Sequence, residues 1–389
     1  TLSIHSFPTR RSSDLTTNDF CEISSPCSIS HGIEDPRSTG RDPKESEDLV
    51  LLSPLQSSLG PFLSLSAACS LVLSPADHEA IHYFRTSIST THDTKDPRYS
   101  VPSAIFRQAE SSPLVMYMVV ALAQQEIRNL AIGDCIESGG SVDSSKDVLA
   151  MENYGCAMNL MAEAVKAMDC DPNLDTVLAA LWLMIVYEQK FGDGEGRGLS
   201  SHLNGAASIM WAKRETLSNL LAVLNETAVP EQNILCIGNP SKQSETTSVF
   251  ACRMIVWLSF SDAAAASYGI GGQINGSLWQ VLSAAIDDDK DPLRGFSAIH
   301  RYSTTLFRIW GGGYPQTQLL EDLENRQLFF LYGECGQLRY MVAKLASLYL
   351  HDKTEAERRL PSVDLALRHV GRKDRKSTRL NSSHQYYLV

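Results

Sequence analysis

The sequence predicts an all-α fold, a large domain of antiparallel-packed helices preceded by a disordered linker. Three observations carry this expectation. Apolar residues recur at helical spacing through a long succession of segments, cap and stop residues punctuate them, and no sustained period-two alternation lies between them. With 389 residues, 43% of them hydrophobic, the chain can bury a sizeable core.

The elements follow in order. Ser74-Pro75-Ala76-Asp77 reads as a capping box that opens the first helix. Helices are predicted next over 102–108, 113–131 and 146–168. Another is expected with Asp171 as N-cap and Pro172 at its first position, running through Val177, Leu178, Leu181, Trp182, Ile185 and Val186 to a stop near Gly192. Only its ends carry charge, so it should be buried. Past a polar, Gly-rich bend at 192–198, a second helix places Leu203, Ala206, Ile209 and Met210 on one side, as a natural antiparallel partner. Further helices are predicted over 215–224, 248–268, 278–286, 301–309 and 325–350, with surface loops at 137–145 and 225–247. Short links favour antiparallel pairs. Trp182, Trp211, Trp257, Trp279 and Trp310 are expected as core anchors.

In the last of these segments, Leu328, Leu331, Cys335, Leu338, Val342, Leu345 and Tyr349 alternate spacings of three and four. Such a stripe is either a core face or the seam of a homodimer. Gly333 and Gly336, each costing about 1 kcal/mol inside a helix, favour the core.

Composition bounds the function. A net charge of −11 with no Lys/Arg stripe is repelled by phosphate backbones, so this chain is not expected to bind nucleic acid by itself. Nine scattered cysteines suit a reducing compartment. The apolar runs 114–123 and 177–187 fall short of the ~20 residues that span a bilayer, and no membrane partner is expected. Residues 16–73, rich in Ser, Pro, Asp and Glu, read as a disordered linker.

Patterns that could carry chemistry are few. His78-Glu79-Ala80-Ile81-His82 matches HExxH, in which two histidines one turn apart hold zinc and the glutamate activates water. Here His78 falls in the first turn of a surface helix and no convincing third ligand follows. Cys21 and Cys27 lack the six-cysteine pattern of a binuclear zinc cluster and read as free thiols. Gly269-Ile270-Gly271-Gly272 and Gly311-Gly312-Gly313 lack the strand and the Lys-Ser/Thr continuation of phosphate loops, and read as helix stops. Asp287-Asp288-Asp289 with Asp291 reads as a solvated loop. No GxSxG nucleophile elbow occurs. No catalytic, cofactor-binding, metal-binding or DNA-binding residue is assigned within the chain.

Four segments, taken in order, resemble a known family. They are the helix ending at Phe191-Gly192-Asp193, the helix with His202-Leu203-Asn204-Gly205-Ala206, the helix Trp257-Leu258-Ser259-Phe260-Ser261-Asp262-Ala263-Ala264-Ala265-Ala266, and Glu334-Cys335-Gly336-Gln337-Leu338-Arg339-Tyr340. With the entry Leu73-Ser74-Pro75-Ala76-Asp77, this order is similar to the regulatory domain of fungal zinc-cluster transcription factors. The resemblance implies a nuclear, non-enzymatic regulator of RNA polymerase II transcription. It implies co-regulators and a small-molecule inducer as partners, and DNA and zinc held only by a zinc-cluster domain upstream of residue 16. The alternative is a helical interaction scaffold or co-regulator without DNA binding, with an HExxH zinc hydrolase as a distant third reading.

The two ends invite a separate expectation. Residues 5–15 and 374–384 look like translations of the two halves of a sequencing-library adapter. The domain division is therefore 1–15 adapter-derived, 16–73 linker, 74–373 regulatory domain truncated at its C-terminus, and 374–389 adapter-derived. Such a truncation would leave the last helices with an exposed apolar face.

Overall fold

The computed structural model describes residues 71–91, 96–138, 145–167, 173–219, 248–285 and 293–385. Among them the regular structure is entirely helical. The expected linker lies almost wholly outside the described residues, as do Cys21, Cys27 and the acidic run 287–291.

Helix α1, Pro75–Tyr83, opens as expected: the Ser74 hydroxyl accepts from Asp77 N at 3.2 Å while the Asp77 carboxylate accepts from Ser74 N at 2.8 Å. It continues through a π-helical turn, Phe84–Ile88, whose end residues are buried. Helix α2, Val101–Ser111, is capped by Ser100, and α3, Pro113–Ser138, follows after one residue. Helix α4 is Ser145–Lys166. Asp77 accepts from Gln124, and Gln124 accepts from Asn153, so one polar chain joins α1, α3 and α4.

Helix α5, Leu174–Phe191, is capped by Asn173, whose side chain accepts from Asp175 N. Asn173 thus caps the helix two residues after the expected Asp171, since its side chain reaches the N–H of Asp175; Asp171 and Pro172 themselves lie outside the described residues. Every residue from Val177 to Tyr187 is buried, as a helix charged only at its ends requires. Helix α6, Arg197–Ala212, buries Leu203, Ala206, Ile209 and Met210 as expected and packs against α5. A helical turn over 214–219 follows.

Helix α7, Val249–Ala266, is capped by Ser248 and forms the other half of the core. It is apolar and long enough to cross a membrane, yet 78% of it is buried within the bundle, which accounts for its composition. Trp182 of α5 and Trp257 of α7 meet there with ring centroids 5.0 Å apart. Helix α8, Gln273–Ala285, lies against α6 and α7. Helix α9 is Arg294–Ser303, not the predicted 301–309. The hydroxyls of Ser303, Thr304 and Thr305 each donate to the carbonyl three residues back, and three such bonds in succession end the helix.

Helix α10, Gln316–His351, and α11, Lys353–Gln385, form a hairpin about Asp352. Helix α11 had no counterpart in the sequence expectation, and its backbone runs through 374–384. Asp352 caps it by accepting from Glu355 N, and Arg358 and Arg359 hold the Glu355 carboxyl down at about 2. A second, smaller core joins α7, α10 and α11 through Ala263, Tyr340, Met341, Val363 and Ala366.

Two expectations are corrected. The buried face of α10 is Gly333, Glu334, Gln337, Tyr340 and Met341, whereas Leu328, Val342 and Tyr349 are exposed. The expected stripe is split: Leu331, Leu338 and Leu345 pack half-buried against the second core, while Leu328, Cys335, Val342 and Tyr349 face outward, because close approach and buried hydrogen bonding turn the small and polar residues fully inward. Trp211 is 45% exposed beneath Arg214 rather than a core anchor.

Gly333 permits the closest of these approaches, since a Cβ there would overlap His300 Nδ1. Gly333→Ala is expected to cost about 1–3 kcal/mol in denaturant unfolding. Gly205→Ala, where a Cβ would meet nothing within 4 Å, is expected to stabilise by about 0.5–1 kcal/mol.

Candidate functional site

Of the residues that carry the sequence resemblance, Gly192 and His202 meet at a part-buried polar node, and Asp262 and Gln337 at a buried one. The first joins α4, α5 and α6. The Tyr154 hydroxyl donates to Glu188 Oε1 at 2.8 Å and lies 2.6 Å from His202 Nε2, and His202 Nε2 stands 3.9 Å from the same carboxylate oxygen. A carboxylate only accepts, so Tyr154 gives its single proton to Glu188, and the hydroxyl oxygen is left to accept from His202. Burial and the Glu188 charge push the Tyr154 phenol far up; burial pushes the His202 imidazole down against the pull of Glu188. The ring of Tyr187 stacks on Tyr154 with centroids 4.6 Å apart.

The Gly-rich bend is shaped around this node. A Cβ on Gly198 would overlap the Glu188 carboxylate, and one on Gly192 would overlap the Glu188 carbonyl oxygen. Asp193 Oδ1 accepts from the N–H groups of Glu195 and Gly196, its Oδ2 from Arg197 Nε, so the bend is tied before α6 begins. Gly196 takes φ +75°, a left-handed conformation that suits glycine.

The second node joins α7, α8 and α10. Asp262 is fully buried; its Oδ1 accepts from Gly272 N at 2.7 Å, and its Oδ2 from Asn275 N at 2.9 Å and Asn275 Nδ2 at 2.7 Å. Asn275 Oδ1 accepts from Gln337 Nε2, and Gln337 Oε1 accepts from Trp279 Nε1. Burial pushes the Asp262 carboxyl up while these bonds to its charged form hold it down. The turn Gly269-Ile270-Gly271-Gly272 is what brings Gly272 back to Asp262: Gly269 and Gly272 have positive φ, and a Cβ on Gly271 would crowd Ala265. It is a helix stop and return, as expected. Gly311–Gly313 forms a short 3-10 turn.

Neither node has the form of a catalytic triad. The hydrogen bonds of Tyr154, Glu188 and His202 described above join them to one another and not to a serine or cysteine nucleophile. His78, Glu79 and His82 are exposed on α1, and among the described residues no group of three or more His, Cys, Asp or Glu is placed to hold a metal. Tyr154, Glu188 and Asn275 were not singled out from the sequence. Glu188 carried a signal, being an acidic residue at the end of an otherwise apolar helix and flanked by the glycines that make room for it. Tyr154 and Asn275 carried none, because their partners lie 34 or 48 and 13 or 62 residues away.

Comparison with protein-family models, curated proteins and solved structures gives no match.

Asn275→Ala removes the shared partner of Asp262 and Gln337, and a loss of about 2–3 kcal/mol in unfolding free energy is expected. His300, 2% exposed among the rings of Phe260, Phe296 and Phe330, supplies a pH dependence. Burial and then the Arg253 charge lower it from 6.5 to about 3, so the folded state holds it neutral. Its contribution is complete above 6.5 and is lost as the pH falls, at about 1.4 kcal/mol per unit. The raised Asp175 and Asp262 act with the opposite sign, so the readout is the difference between wild type and His300→Gln. That difference should shrink as the pH is lowered from 6.5 toward 5, as denaturation curves at matched pH would show.

Proposed function

We propose that this chain is the regulatory domain of a fungal zinc-cluster transcription factor, acting in the nucleus on RNA polymerase II transcription. The domain regulates rather than catalyses. DNA is read by a zinc-cluster domain outside this sequence, and zinc belongs to that domain. The observation that carries the reading is the order of the four motif segments along the chain. Support comes from what their residues do: Gly192 and His202 belong to one part-buried node, Asp262 and Gln337 to the buried one. The acidic net charge agrees with a domain that leaves phosphate contacts to another part of the protein. Such a domain acts by having two helix packings of similar energy, between which an inducer or co-regulator chooses through its differential affinity.

The test is the transcript upstream of the Thr16 codon, together with a reporter assay. A frame that opens onto six closely spaced cysteines among basic residues is expected. Fused to a heterologous DNA-binding domain, the chain should change reporter transcription relative to that domain alone. A start codon without the cysteine pattern, and a fusion that leaves the reporter unchanged, would favour the helical scaffold.

A further inference from the structure

A cavity of about 330 Å³ opens between α2, the starts of α5 and α7, and the short helical turn Phe307–Trp310. One stripe of α2 lines it, with Ala104, Arg107, Gln108 and Ser111 at the three- and four-residue spacing of a helix face. Arg308 reaches it from the turn. Counted at roughly 30 Å³ per water-sized group, the space suits a ligand of about ten non-hydrogen atoms.

Two guanidiniums share this wall although the chain carries a net charge of −11, and both are held in place by their neighbours. Arg107 Nη1 donates to Ile309 O at 3.1 Å, and its guanidinium lies over the Trp310 ring, 5.0 Å from the centroid. Arg308 donates to the Tyr302 hydroxyl and lies over that ring at 5.7 Å. Side chains fixed in this way lose little further freedom when a ligand binds. Asp175 is the acidic group on the wall, and its carboxylate is engaged at the start of α7, where it accepts from the Ser248 hydroxyl and from Ala251 N. The Gln108 amide adds a neutral donor. Hydrogen bonds from guanidinium to carboxylate or phosphate are among the strong ones, and two cations are balanced by two negative charges. We propose that this cavity binds a compact dianion, a dicarboxylate or a phosphate monoester, between Arg107 and Arg308, with the Gln108 amide as a third donor. Such binding is a property of the chain itself and does not depend on the transcription-factor reading.

Calorimetric titration of the full chain with succinate and with inorganic phosphate tests it, at mildly alkaline pH where both are dianions and with ionic strength held constant by chloride. At least one of the two is expected to bind saturably and to raise the thermal midpoint, as a ligand of the folded state must. Succinamide, the neutral analogue, should do neither. Preference for succinate assigns a dicarboxylate, and preference for phosphate assigns a phosphate ester. Arg308→Gln should weaken binding by on the order of tenfold or more. Gln108→Glu, which keeps both guanidiniums but sets a carboxylate beside them, should abolish binding with the circular dichroism unchanged. The absence of saturable binding by either anion overturns the proposal. So does binding that Gln108→Glu leaves intact, since the anions would then sit elsewhere on the surface.

Discussion

The Asp262 carboxylate lies fully buried where α7, α8 and α10 meet, and the far half of the bundle is arranged to satisfy it. An ionised group out of water without partners is expensive enough to unfold a domain, so its acceptors must be filled by groups held in fixed geometry. Here those groups are Gly272 N, Asn275 N and the Asn275 amide. Each demands something of its neighbours. Gly272 N reaches Asp262 only because the chain reverses through Gly269 to Gly272 with left-handed backbone at both ends. The Asn275 amide is oriented by Ser259 O and by Gln337, which fixes α10, and Gln337 is in turn held by the indole of Trp279. One carboxylate thus sets the loop after α7, the start of α8 and the rotation of α10 about its axis.

That rotation explains why α10 buries glycine and glutamine while leaving leucine and valine outside. Turning the Gln337 face inward places Gly333 against His300 and Gly336 against Phe260. These close contacts give back part of the helix propensity the glycines forfeit. The same turn carries Leu328, Val342 and Tyr349 into solvent. Hydrophobicity alone would have turned more of the stripe inward; a buried hydrogen-bond network limits it to the half-buried Leu331, Leu338 and Leu345, because leaving its members unmade costs more than exposing a few methyl groups.

The first node works by the same logic on the near half. Glu188 ends an apolar helix, and the bend after it contains glycines at the two places where a side chain would strike the carboxylate or its carbonyl. Tyr154 and His202 then close it from α4 and α6. The motif residues that seemed merely helical in sequence are therefore points where helices approach one another closely and exchange hydrogen bonds.

Much of the fold was legible locally. Ser74 and Asp77 fixed the start of α1 because a capping box uses atoms three residues apart. The length and burial of α5 followed from an uninterrupted apolar run, and Ser248 marked the start of α7. Where the sequence misled, the deciding interaction was long-range or cooperative. Helix α9 ended early because three consecutive hydroxyls turned back on carbonyls three residues earlier, and α11 formed on an Asp352 to Glu355 cap with Val363, Ala366 and Val370 as a short buried face whose partners lie on α7 and α10. By itself, then, the sequence determined that the chain is helical and where most helices begin, since both depend on neighbours within a turn or two. Which face of each helix lies inside, and which residues meet at the two nodes, was decided only by tertiary structure, because a buried polar group is satisfied by partners that chain spacing does not reveal.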